Sequence, residues 1–198
     1  MLTWQHEDGH GFEGTRLLLG VDGAFRALGR SVQADPDGDF TASYRLIVAE
    51  GGTVERLSVT CATAARERHL TINRTEDGYW LLDTGSGGTR TEFGGAVDVD
   101  LAYSAMFNTL PIRRLGLHRE AGEHTVPMVF VSLPALDVEL VEQTYRTVST
   151  LDENGTAVVN FRSGDFSADL TVDADGVVLD YPGIARRHAA QPAAPAAT

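Results

Sequence analysis

Three short segments, Glu76-Asp77-Gly78, Glu153-Asn154-Gly155 and Ala174-Asp175-Gly176, stand between runs of apolar and alternating residues. Asp-Gly and Asn-Gly tolerate positive φ at low cost, so they turn a chain back on itself between two strands. Around them, Arg56 to Cys61 and His69 to Thr75 alternate apolar with polar side chains. A period of two buries one face of a strand and wets the other. Strands joined by tight turns must pair antiparallel, because a parallel pair needs a long crossover. The expected fold is mainly β: a strongly curved, partly closed antiparallel sheet, half-barrel-like, with a few short helices.

Further apolar runs extend the pattern. Arg16–Val21, Tyr44–Glu50, His124–Leu133 and Val138–Val148 read as strands, as do the three runs after Ala157. Val21 to Arg30 fits a strand pair or one helix. Asp35 to Asp39 reads as a turn. Asp83 to Gly95 reads as a flexible loop that divides the chain into two β-rich halves. Tyr44–Val59 and Phe166–Tyr181 share a strand, Gly-turn, strand shape, which raises a possible internal duplication. One domain over residues 1–187 is expected. The Ala/Pro-rich end carries no apolar period from Arg186 onward, and residues 188–198 are expected to be a disordered tail.

Hydrophobic residues make up 42% of the 198, enough for a sizeable core. The net charge is −12, and none of the cations is a lysine. A field of that sign repels polyanions, so nucleic acid is not an expected partner. There is one cysteine, Cys61, so no intrachain disulfide can form. It falls mid-strand and reads as a buried, inert thiol. No run of about 18 apolar residues is present, so no transmembrane segment is expected. The His- and acid-containing start does not read as a secretory signal, and the expected location is cytoplasmic.

The most unusual stretch is Asn108-Thr-Leu-Pro-Ile-Arg-Arg-Leu-Gly-Leu117. As a strand it would turn one arginine inward, unpaired. As a short helix it is self-consistent: Asn108 or Thr109 as cap, Pro111 in the first turn, Gly116 at the end. Arg113 and Arg114 would then either pair with internal acids such as Asp98 and Asp100, or hold a polar head group by bidentate hydrogen bonds. Asp98-Val99-Asp100 places two carboxylates on one strand face, but an Arg-paired stripe outweighs a metal site there. His6, Asp8 and His10 lack a supporting fourth ligand, so no metal is expected. Gly85–Thr89 lacks the lysine of a phosphate loop. No nucleophile elbow occurs, no catalytic residue is assigned and no cofactor is expected. Tyr145 and Tyr181 suit a polar–apolar boundary at a ligand mouth.

Gly95–Leu117, Val129–Val148 and Asp173–Arg187 together resemble the Putative glycolipid-binding protein family of bacteria. The matching signature positions are Asp98, Asp100, Asn108, Thr109, Pro111, Arg113, Arg114, Gln143, Tyr145, Asp180 and Tyr181. The resemblance implies a β-rich fold like lipoprotein carriers, with a curved sheet around an apolar cavity. It implies an amphiphilic small molecule or glycolipid as partner, and no catalytic residues. The expected binding residues are Asn108, Arg113, Arg114, Asp98, Asp100, Tyr145 and Tyr181, with apolar chains in the sheet interior. The alternatives are an enzyme acting on a sugar or nucleotide-linked substrate through Asp98 and Asp100, or an interaction module with a filled core.

Overall fold

The computed structural model describes residues 1–34, 38–85 and 87–188. The expected turn at Asp35–Asp39 falls largely outside the described residues, and so does the tail from 189.

The first half of the chain forms β1 (Leu2–His6), β2 (Gly11–Leu19), β3 (Phe25–Gln33), β4 (Phe40–Val48), β5 (Val54–Thr63), β6 (Glu67–Arg74), β7 (Trp80–Asp83) and β8 (Gly88–Thr91). The second half forms β9 (Asp98–Leu101), the helix α1 (Thr109–Arg114), β10 (Glu123–Val131), β11 (Val138–Ser149), β12 (Thr156–Ser163), β13 (Phe166–Asp173), β14 (Val178–Tyr181) and β15 (Ala185–Arg187). All fifteen strands share one sheet, running from β8 back to β1, across to β15, and back again to β9. The first and last strands therefore pair in its middle, Gln5 opposite Arg186. Among the described residues the one parallel pair is β9 with β10.

The three glycine turns share one geometry. Thr75, Asp152 and Asp173 each accept from the glycine three residues on, and each donates its own N–H to the carbonyl four residues on. Gly78, Gly155 and Gly176 take φ of 87°, 73° and 74°. These are three-residue hairpin loops, a type I turn closed by a left-handed glycine.

The sheet curls until its ends nearly meet. The Trp80 indole donates to the Ala96 carbonyl at 3.0 Å, and the Val54 N–H reaches Val97 O at 2.9 Å. The sheet stays open between β8 and β9. Inside the curve lies the 3₁₀ turn Met106–Asn108 running into α1, with Met106, Phe107, Leu110 and Ile112 buried. Phe107 packs edge-on against Tyr44, ring centroids 5.1 Å apart. The Tyr44 ring occupies the place a side chain on Gly29 would take: a Cβ there would lie 2.0 Å from the ring. Cys61 is buried.

Several expectations need correction. Val21–Arg30 is a turn followed by the start of β3, not a helix. Asp83–Gly95 is no plain loop: it contains β8 and a short 3₁₀ turn at Phe93–Gly95. Arg186 and Arg187 belong to β15 because open edges of β1 and β14 flank them. Composition alone could not reveal those edges.

Candidate functional site

The stretch Asn108–Leu117 holds a short helix over Thr109–Arg114, as its residues suggested, and the helix ends as they suggested. Gly116 has φ of 67°, its N–H bonds Arg113 O, and the Leu117 N–H bonds Ile112 O. That pair of bonds is a Schellman ending. The start differs. Asn108 is already helical (φ −61°, ψ −21°) and makes no side-chain cap. The preceding 3₁₀ turn moves the true helix start upstream and frees the Asn108 side chain.

Glu13 serves that start. It is fully buried on β2, and its Oε1 accepts from Tyr44 Oη at 2.5 Å and Ser104 Oγ at 2.6 Å. Thr15 Oγ1 lies 2.7 Å from the same tyrosine hydroxyl. The backbone N–H groups of Ala105 and Met106 face the carboxylate and favour its charged form, but burial outweighs them and raises its pKa. The arrangement is a helix start closed by a side chain from another strand.

The two arginines part company. Arg114 grips Asp98 through Nη2 at 2.5 Å and Nε at 3.2 Å. Asp98 is completely buried, and burial raises its pKa despite the guanidinium. Arg113 donates to the Asp175 carbonyl in the β13–β14 turn and lies over the Phe25 ring, 5.9 Å from its centre.

Asp100 takes a different course two residues along β9. Its Oδ2 accepts from Gln143 Nε2 at 2.7 Å. The Tyr145 hydroxyl lies 2.9 Å from Gln143 Oε1 and 3.0 Å from Asn108 Oδ1. A hydrogen-bonded row thus joins β9, β11 and the helix entrance. Burial pushes Asp100 up to about 6, against the opposing bonds from Gln143 and the Leu101 backbone. Burial likewise raises both Tyr145 and Tyr181, helped by the nearby Asp100 charge.

This row borders a cavity of about 460 Å³. Asp100, Asn108, Gln143 and Ser104 provide its polar side. Phe130, Phe161, Phe166 and Tyr181 provide an aromatic wall. The last three rings contact one another at 6.0 to 6.1 Å. Among the described residues, no arginine or histidine lines the cavity.

The structure therefore brings Asp100, Asn108 and Tyr181 to one cavity, with Tyr145 directly behind. Asp98, Arg113 and Arg114 are not among its lining residues. Tyr145 is buried in the row and not at a mouth. His6 is buried while His10 is exposed, and Asp8 accepts the His10 N–H in a local turn. No group of three metal-ligating side chains occurs among the described residues. None of their helices is long and apolar enough to cross a membrane. Glu13, Ser104 and the phenylalanine wall were not singled out from sequence. The apolar run that signalled β2 begins at Arg16, so nothing in it marked Glu13 as an inward-facing acid.

The family pattern named Putative glycolipid-binding matches residues 1–187. The chain belongs to that family. Its fold is shared with a DUF1089 family protein from Pseudomonas aeruginosa, at a TM-score of 0.71 and 25% identity over 90% of this chain and 92% of that one. A second similar structure is a beta-barrel-like protein of domain of unknown function DUF1849 from Brucella abortus. There the TM-score is 0.53 at 9% identity, over 94% of this chain and 92% of that one. No curated protein sequence matches the chain.

Proposed function

We propose that the protein binds a glycolipid or similar amphiphile in the cavity between Asp100 and the phenylalanine wall. The observation that carries this reading is the two-sidedness of the cavity. One side offers hydrogen-bonding groups held at fixed positions, the other apolar rings. Its volume falls within the roughly 300–1,000 Å³ usual for small-molecule sites. Asp100, Gln143 and Asn108 bind hydroxyl groups of the head, and the aromatic wall takes the first part of the apolar chain. With no cation in the lining, the site favours a neutral sugar head over a phosphate. Arg113 and Arg114 act here as positioning residues: they fix α1 and thereby Asn108.

The test is native mass spectrometry of the purified protein after incubation with a bacterial lipid extract. The reading predicts a discrete adduct that organic extraction releases as a glycosylated, acyl-bearing lipid. A protein that remains at its bare mass would contradict it.

A further inference from the structure

The convex face of β2–β5 carries a second, separate pattern. Leu28, 39% exposed, pairs across the strands with Arg16 on β2 and Arg45 on β4. Along β3 its neighbours on the same face are Arg26 and Arg30. One exposed leucine is thus ringed by four arginines. Arg56 extends the set, opposite Ile47. All five arginines are exposed, and none is in an ion pair among the described residues. The single exposed acid on these four strands is Glu55, beside the β4–β5 bulge.

Like charges held side by side on a sheet repel one another. This chain has 28 acidic residues with which to neutralise them, yet places almost none there. Exposed apolar side chains share the face: Phe12 at 47% and Val32 at 57% pair directly, and Leu18 at 46% lies opposite Arg26. Between Arg30 and Arg45 runs a shallow groove bordered by Ser43, Ser58 and Thr60.

From this we infer that the convex face of β2–β5 docks on an anionic bilayer. Guanidinium groups pair with lipid phosphates, and Phe12, Leu28 and Val32 enter the interface between them. Nucleic acid fits less well, because it offers no apolar layer for those side chains. With these five arginines set aside, the rest of the chain carries −17, a field that opposes a long polyanion. Over a membrane that opposition is local, since charges more than about 8 Å apart are largely screened at physiological salt. The inference does not depend on the cavity: docking requires no glycolipid.

The experiment is flotation with vesicles of phosphatidylcholine alone and of phosphatidylcholine with phosphatidylglycerol at about 7:3. The protein is expected to float with the anionic vesicles only, and to be released by salt. Each guanidinium near the surface contributes roughly fivefold, so Arg30→Gln with Arg45→Gln weakens partition about thirtyfold. Arg90→Gln with Arg162→Gln removes the same charge elsewhere and leaves partition unchanged. Leu28→Ser weakens it without altering the charge. The inference is overturned by equal binding to neutral vesicles, by equal losses in the two double variants, or by duplex DNA competing the protein off the vesicles.

Discussion

Two carboxylates, the buried Glu13 and the half-buried Asp100, sit at opposite ends of the segment that carries the chain into its helix. Glu13 is held by Tyr44 and Ser104 and faces the N–H groups of Ala105 and Met106. Asp100 accepts from the Gln143 side chain and the Leu101 backbone and borders a cavity. Burial raises the pKa of both. The first is sealed inside the sheet, and its side-chain bonds, all through Oε1, tie β2 and β4 to the helix start. The second borders the cavity, where the proposed function has it bind the head group. A perturbed carboxyl therefore does not mark a site by itself. Access to the cavity separates the two roles: Asp100 borders it and Glu13 does not.

Truncating Glu13 should have the largest effect. Glu13→Ala leaves two hydroxyls and the helix-start amides without an acceptor, each costing about 1–3 kcal/mol. A loss near 4 kcal/mol in total is expected by urea unfolding, with binding per folded molecule unchanged. A smaller loss with weakened binding would erase the distinction drawn between the two carboxylates.

Arg114→Ala comes next. It strands the Asp98 charge and is expected to destabilise by about 3 kcal/mol. Arg113→Ala, which loses one bond to a backbone carbonyl in a partly exposed place, should cost about 1 kcal/mol. Equal, small effects on stability with a large loss of ligand would return both arginines to the head group.

Asp100 itself gives a pH signature. Its pKa rises from 3.8 to about 6 in the folded state. Between those values the folded protein keeps a proton that the unfolded chain releases. Stability therefore falls as pH rises from 4 to 6, by about 3 kcal/mol from this group, and no further above 6. Asp100→Asn should flatten that part of the profile. Titration monitored by chemical denaturation at each pH checks it, and an unchanged slope in the variant would assign the dependence to another group. The smallest effect belongs to Tyr145→Phe, which unlinks Asn108 from Gln143. It should cost about 1 kcal/mol and weaken binding a few-fold.

Much of this molecule was legible in its residues. The three glycine turns fixed hairpins that the structure contains, and β13 runs over Phe166–Asp173 as its alternation indicated. Gly116 marked the end of α1. The start of α1 was not legible, because its capping acid comes from β2, far away in sequence. That same acid explains a second gap. In β2 the inward positions are Glu13 and Thr15, while Phe12 and Leu18 face outward. Reading apolar as inside would invert the strand. The inversion has a cause on each face: inside, the helix start needs a carboxylate; outside, the arginine ring has apolar neighbours. Of the candidate site, Asp100 stood out beside Asp98, Asn108 as a helix cap and Tyr181 as a boundary residue, and the family signature held all three; their convergence needed the curl of the sheet. Asp98 looked equivalent to Asp100, and only the position of Arg114 separates them.

The most direct test of the cavity is titration calorimetry with a short-chain alkyl glucoside, comparing the natural protein with Ser163→Trp. Ser163 lies at the cavity edge, at the end of β12, and is partly exposed, so the indole can be accommodated without disturbing the core. The account predicts saturable binding to the natural protein and at least a tenfold loss in a variant that unfolds at the same urea concentration. Undiminished binding by Ser163→Trp would place the ligand elsewhere and contradict the role given to Asp100.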